Sequence, residues 1–233
     1  MKPSTPLSAV LLDLDGTLLD TAPDLVRIAN DLRAEAGLAP LPYEQLRAQV
    51  SHGSGAVLRA AFPGLDAARL EPMQDRYLAL YRAQLSVATR PFAGFDVVLP
   101  ALEAHGIPWG IITNKPSWLT EPLLTELGLL ARAACVLSGD SLAVRKPDPL
   151  PLLTAAERIA IDPAQCLYAG DALRDIQAAR AAGMTALAAR YGYIDPAERP
   201  GEWPVTAWID SPLELLDWVG LPRRLTTPAA VEG

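Results

Sequence analysis

The sequence predicts an α/β protein: a doubly wound (Rossmann-like) parallel sheet core with one small, all-helical cap domain inserted into it. Three observations predict this. Short apolar runs break abruptly into polar residues at 8–12 before Asp13-Leu14-Asp15-Gly16-Thr17, at 107–112 before Thr113-Asn114, and at 166–169 before Gly170-Asp171. None of these runs alternates, which fits strands buried on both faces, as in a parallel sheet covered by helices. Strand and helix patterns then alternate from Ala93 to about Leu216, whereas residues 19–87 hold only helical periods and turn residues.

Along the chain, residues 8–12 form the first strand. The inserted segment opens at Thr21, with Asp24 three positions on, a spacing that resembles a capping box. Leu25, Ile28, Ala29 and Leu32 make one apolar helical stripe, and Met73, Tyr77, Leu80 and Tyr81 make another. The chain re-enters the sheet through Pro91-Phe92-Ala93-Gly94. Phe95, Val98, Leu99 and Leu102 then mark a helix in which Pro100 is tolerable only if the helix starts late. Leu119, Leu123, Leu124 and Leu127 mark the next, ended by Gly128. Residues 171–182 read as a helix ended by Gly183, and residues 134–138, 185–189 and 206–209 as further strands. The expected domains are residues 1–18 and 88–222 for the core and 19–87 for the cap, with 223–233 a loose tail.

A chain of 233 residues that is 50% hydrophobic can build a sizeable core, which excludes disorder. Its net charge of −7 works against a general attraction to nucleic acid or anionic lipid. Residues 1–8 lack the apolar region of a signal peptide, and no stretch approaches the roughly 20 apolar residues that span a bilayer. The expectation is a cytoplasmic protein with no nucleic-acid or membrane partner, a monomer as the simpler case. Cys135 and Cys166 are too few and too far apart for a metal cluster and read as buried fillers.

In open parallel sheets ligands bind beyond the carboxyl ends of the strands, so the polar breaks converge on one edge. Asp13 and Asp15 lie two apart at a strand end, and Asp171 and Asp175 four apart at a helix start. Like charges so close need a cation or protons. Carboxylate oxygens without His or thiolate suit a hard ion, here Mg²⁺. Thr113 offers a hydroxyl, Asn114 an amide and a backbone N–H, and Lys146 a fixed positive charge beside Pro147-Asp148-Pro149. Such a set defines an anion site in which metal and lysine make a phosphomonoester dianion open to attack by an aspartate.

The segments DLDGTLLD, TNK at Thr113, KPDP at Lys146 and GDALRD resemble, in order and context, the four motifs of the haloacid dehalogenase superfamily. The resemblance covers residues 9–216, including a helical cap after the first motif, and is closest to the phosphoglycolate phosphatase branch. It implies an HAD-type fold and an Mg²⁺-dependent phosphatase acting on a small phosphorylated substrate. By that resemblance Asp13 is the nucleophile and Asp15 the general acid and base, with neighbouring acids keeping a proton on it. Thr113 and Lys146 hold the phosphoryl oxygens. Asp13, the Asp15 backbone carbonyl and Asp171 bind Mg²⁺, and Asp175 acts through water or by orienting its neighbours. The loop 191–204 and the opening Asp20-Thr21-Ala22-Pro23-Asp24 resemble N-acetylmuramic acid 6-phosphate phosphatases.

Each residue also has a plainer reading. Asp13 alone suits a surface turn, Thr113 or Asp171 a helix cap, Asp175 a solvated helix face and Lys146 a surface lysine. His52, Gly53 and Ser54 form either a turn between cap helices or a substrate loop, and the aromatics of 191–204 either simply pack a surface loop or carry the subfamily resemblance just named. His105 reads as a helix-end residue. Among rival activities, Asp15 argues against a dehalogenase, and the absence of lysine in 19–87 argues against Schiff-base phosphonate hydrolysis. A phosphosugar mutase and a catalytically silent phosphosugar-binding module remain open, as does the choice between 2-phosphoglycolate and a 6-phosphorylated amino sugar.

Overall fold

The computed structural model describes residues 6–223. In chain order β1 (Ala9–Leu12) is followed by β2 (Leu19–Asp20), then α1 (Ala22–Glu35), α2 (Tyr43–Arg47), α3 (Ser54–Ala61) and α4 (Ala67–Ala83). Next come β3 (Arg90–Pro91), α5 (Phe95–Ala104), β4 (Trp109–Ile112), α6 (Ser117–Glu126), β5 (Cys135–Leu137) and α7 (Leu150–Arg158). The chain continues through β6 (Cys166–Gly170), α8 (Leu173–Ala181), β7 (Thr185–Ala189), β8 (Ala207–Ile209) and α9 (Leu215–Trp218).

The main sheet has the order β5-β4-β1-β6-β7-β8, and every pairing in it is parallel. Both faces are covered because successive strand residues point to opposite sides. Val10, Leu12, Ile111, Leu167 and Leu187 pack with apolar residues of α5, α6 and α9. Ala9, Leu11, Ile112, Tyr168, Ala186 and Ala188 pack with those of α7 and α8. The unalternating runs thus supply a core on each side, and β1 and β6, at the centre, deliver their carboxyl ends to one edge.

Between β2 and β3, which pair antiparallel as Leu19↔Pro91 and Asp20↔Arg90, the chain makes only helices. The first expected stripe is buried: Leu25 8%, Ile28 0%, Ala29 0% and Leu32 6% exposed. In the second, Tyr77 and Tyr81 are fully buried, and Met73 and Leu80 are half-buried against them. Gly128 and Gly183 end their helices at φ +68° and +75°. His105 closes α5, its Nδ1 2.8 Å from the Ala101 carbonyl oxygen.

Three local expectations are corrected. Thr21 does not cap α1: its hydroxyl donates to Asp15 Oδ1 (2.7 Å). The Asp24 carboxylate instead accepts the Ala88 and Thr89 N–H groups and the Thr89 hydroxyl, tying the start of the helical segment to its end. Pro100 does not delay α5, which starts at Phe95 and keeps the proline in its interior. One i→i−4 bond is lost there, and the burial of Phe95, Val98, Leu99 and Leu102 against the sheet outweighs it. Asp171 lies before α8, not in it. Of the expected loose tail, Arg223 pairs with Asp217 at 2.6 Å, and 224–233 lie outside the described residues; just before it, Leu221 donates its N–H to the Leu216 carbonyl. Among the described residues no helix is long and apolar enough to cross a membrane.

Candidate active site

The carboxyl ends of β1 and β6 bring Asp13, Asp171 and Asp175 together, with one carboxylate oxygen of each lying within 4.8 Å of the others. All three are buried, at 4%, 1% and 0% exposure, which removes the solvated reading of Asp175. Close approach of backbone makes this possible. At Gly16 (φ +84°) an added Cβ would lie 2.1 Å from Asp171 Oδ2, and at Gly170 it would lie 2.3 Å from Asp175 Cβ. Asp175 is the third residue of α8, and its Oδ2 accepts the Ala172 N–H at 3.0 Å, fixing the helix start.

Lys146 is the counter-charge. Its Nζ lies 2.9 Å from Asp13 Oδ1 and 2.7 Å from Asp175 Oδ1, and it donates to the Ile112 carbonyl (2.8 Å) and the Tyr168 hydroxyl (2.6 Å). The Asn114 amide clasps the Lys146 backbone from both sides, its Nδ2 donating to the carbonyl at 2.9 Å and its Oδ1 accepting the N–H at 3.1 Å. The Asn114 side chain is therefore engaged with the lysine loop, and its backbone is what it can offer a ligand. Thr113, 4% exposed, accepts the Lys115 N–H at 3.1 Å and keeps its own hydroxyl proton to donate.

One lysine does not neutralise three buried acids. Burial, with repulsion from Asp175, pushes Asp13 up to about 6 despite Lys146. Burial, with repulsion from Asp13 and Asp175, pushes Asp171 up to about 7. Asp175 Oδ1 has no hydrogen-bond donor in line, although Lys146 is close to it. Three hard oxygen donors gathered at one point and a residual negative charge fit a divalent cation such as Mg²⁺.

Asp15 sits apart from this cluster. Its Oδ1 accepts from the Thr21 hydroxyl at 2.7 Å and from Lys115 Nζ at 3.0 Å, and that lysine also donates to the Tyr81 hydroxyl of α4 at 3.0 Å. The expectation that other acids crowd Asp15 is corrected: the crowding falls on Asp13 and Asp171, because a lysine and a threonine occupy the space beside Asp15.

Helices α1–α4 roof this floor and leave a cavity of about 770 Å³ between them. Asp13, Asp15, Asn114, Lys115 and Lys146 line it from below; Ser51, His52, Gly53, Ser54, Gln74, Tyr77 and Tyr81 line it from above. The roof is fastened to the floor. Ser51 Oγ donates to Asp171 Oδ2 at 2.7 Å, and Arg174 Nη2 donates to the Ser51 carbonyl at 2.6 Å. His52 Nε2 lies 2.9 Å from Asp195 Oδ2, and its Nδ1 lies 3.7 Å from Glu198 Oε1. Arg47 donates to the Tyr191 carbonyl at 3.1 Å and lies over the Tyr193 ring. The loop 191–204 packs its rings as a surface loop would and also meets the helical segment. Its rings pack, Tyr191 on Phe92 at 5.0 Å and Trp203 on Trp208 at 5.5 Å, and its polar groups receive the helical segment. The Tyr193 N–H also donates to Asp171 at 2.8 Å.

Lys115, Tyr168, Ser51 and Arg174 were not singled out from the sequence. Lys115 and Arg174 lie inside the TNK and GDALRD segments, where a charged residue beside a site residue was the available signal. Tyr168 lies in an apolar run and Ser51 in a small-residue stretch, so neither carried one.

A family model described as haloacid dehalogenase-like hydrolase matches residues 10–189. A protein of Xylella fastidiosa (strain Temecula1) named phosphoglycolate phosphatase is 47% identical over 87% of this chain and 89% of its own. A protein of Pseudomonas aeruginosa (strain PAO1) named N-acetylmuramic acid 6-phosphate phosphatase is 42% identical over 91% of this chain and 94% of its own. The crystal structure of a predicted phosphoglycolate phosphatase from Haemophilus somnus 129PT superposes with a TM-score of 0.74 at 26% identity, covering 88% of this chain and 95% of that one.

Proposed function

The chain belongs to the haloacid dehalogenase-like hydrolase family, and on that premise we propose that it is an Mg²⁺-dependent phosphomonoesterase working through an aspartyl-phosphate on Asp13. The observation that carries this reading is the single Lys146 ammonium set between Asp13 and Asp175 on the floor of a roofed cavity. Asp13 Oδ1 is held by Lys146 and by the Leu14 N–H at 2.7 Å, which leaves Oδ2 as the attacking oxygen. Lys146 and the Thr113 hydroxyl take phosphoryl oxygens as the ester bond breaks.

Asp15, oriented through Oδ1 by Thr21 and Lys115, delivers a proton from Oδ2 to the departing alkoxide and then takes one from the water that attacks the phosphoryl group. Asp13, Asp171 and Asp175, with the Asp15 carbonyl, would hold Mg²⁺, which would supply positive charge toward the phosphoryl oxygens. The fastened roof excludes water while the first step proceeds. Residues 19–87 act as a cap domain on a core of 1–18 and 88–222, moving about β2 and β3.

The cavity favours the larger of the two substrates named for its relatives. At about 770 Å³ it has room for on the order of 25 waters at roughly 30 Å³ each, far more than 2-phosphoglycolate fills. Its roof combines polar Ser51, His52, Ser54 and Gln74 with the rings of Tyr77 and Tyr81, a mixture suited to a sugar bearing hydroxyl and amide groups. We propose N-acetylmuramic acid 6-phosphate. It shares with 2-phosphoglycolate a carboxylate in addition to the phosphate ester, so the substrate class is a carboxylated phosphomonoester. Comparing kcat/KM for the two compounds with Mg²⁺ present tests the choice: a higher value for the amino sugar supports it, and a higher value for phosphoglycolate reverses it. Accumulation of a sugar bisphosphate in place of steady phosphate release would identify a mutase.

A further inference from the structure

Two arginines line the cavity, Arg145 and Arg174, and neither forms an ion pair among the described residues. They differ in how they are held. Arg145 is exposed at the rim on the loop before Lys146. Arg174 is half-buried between floor and roof, its Nη2 fixed to the Ser51 carbonyl at 2.6 Å.

Arg174 is poorly explained as a structural residue. It is the second residue of α8, where the helix dipole disfavours a cation. A guanidinium carries five N–H donors, of which one bond uses one here. Its nitrogens are not among the buried polar atoms left without partners, and the residue lines the cavity. A guanidinium stays charged at any pH at which the protein is folded, so it is a permanent cation. The phosphoryl end already has Lys146, the Thr113 hydroxyl and the acidic triad for a divalent ion.

We propose that Arg174 is the specificity-determining residue that receives the substrate's second anion, its carboxylate. This rests on the phosphatase reading above and adds the group that selects the leaving portion. The planar fork of a guanidinium matches a carboxylate in two parallel hydrogen bonds, and a fork already anchored at one nitrogen loses less side-chain freedom on binding than Arg145 would. Arg174 also holds Ser51, so carboxylate recognition and roof position meet at one side chain.

The test compares N-acetylmuramic acid 6-phosphate with N-acetylglucosamine 6-phosphate, which lacks the carboxylate-bearing ether, in the wild type and in Arg174→Met, Arg174→Lys and Arg145→Met. The wild type should prefer the carboxylated compound. In Arg174→Met the ratio of the two kcat/KM values should fall about 10- to 100-fold, chiefly through KM of the carboxylated compound, the scale of one charge-assisted contact. Arg174→Lys should recover part of that ratio, since it keeps the charge and loses the fork. An equal loss on both compounds would show that Arg174 serves the roof or the phosphoryl site, and would overturn the proposal. A collapse of the ratio in Arg145→Met alone would also overturn it. A wild type that releases phosphate from both sugars without preference sinks this assignment and leaves the phosphatase reading standing; release from neither compound nor from a generic aryl phosphate sinks both.

Discussion

The floor and the roof of the cavity are held together by opposite means. On the floor, Asp13, Asp171, Asp175 and Lys146 are buried and mutually in contact, and their net negative charge is uncompensated. On the roof, Ser51, His52 and Arg47 are half-buried and reach the core through two contacts each, to Asp171 and Arg174, to Asp195 and Glu198, and to the Tyr191 carbonyl and the Tyr193 ring. Chemistry needs geometry that does not yield, which buried and mutually dependent charges provide. Substrate entry needs contacts that part at low cost, which half-exposed hydrogen bonds provide. Changes to the floor should therefore act on turnover and on stability, and changes to the roof on affinity.

The largest effect should come from Asp13→Asn, which removes the carboxylate proposed to attack: phosphate release should fall by about 10³-fold or more, measured with Mg²⁺ and a generic aryl phosphate. Activity close to wild type there would mean the floor is not the reacting centre. Lys146→Met should lower kcat/KM by about 10²- to 10³-fold. It should also destabilise the protein by about 3–5 kcal/mol near pH 7.5, because it leaves Asp13 and Asp175 buried without the ammonium that pairs with both. Urea unfolding checks this, and a variant as stable as wild type would show that the ion pairs carry no weight.

The floor also predicts a pH dependence with a definite sign. Asp13 and Asp171 are raised from 3.8 to about 6 and about 7. The folded state thus binds more protons than the unfolded state between about pH 4 and 7, and this pair makes the metal-free protein less stable as pH rises through that window. A divalent ion that binds the ionised triad reverses the loss. At a hundred times its Kd, Mg²⁺ should add about 2.7 kcal/mol, or roughly 5–11 °C in Tm, at pH 8 and much less at pH 5. Thermal unfolding with and without chelator measures it, and an equal shift at both pH values would contradict the triad as the metal site.

The smallest effect should come from the roof. His52→Gln loses the ring contacts to Asp195 and Glu198, and KM should rise by at most about fivefold. If kcat fell 100-fold instead, His52 would belong to the chemistry, and the contrast between floor and roof would fail.

The same contrast explains what could be read from the sequence. The floor was legible because a parallel sheet forces its chemistry to strand ends: the breaks at Asp13, Thr113 and Asp171 are visible as apolar runs turning polar, and β1, β4 and β6 lie within a residue or two of the expected bounds. Tyr168 was hidden because a buried hydroxyl inside a strand changes no pattern until Lys146 is seen beside it. The roof was harder to read because its contacts join residues far apart in the chain. Ser51 meets Asp171 and His52 meets Asp195, pairings that no local period encodes. Thr21 was misread for the same reason: its spacing to Asp24 suits a cap, and the fold brings each a stronger partner, Asp15 for one and Thr89 for the other.

The central claim is that Asp13 takes the phosphoryl group. Turnover stopped with acid within milliseconds, followed by peptide mass analysis, tests it directly. The account predicts a phosphoryl group on Asp13 in wild type and none in Asp13→Asn. Phosphate release with no phosphorylated protein at any time, or with the group on another residue, would contradict it.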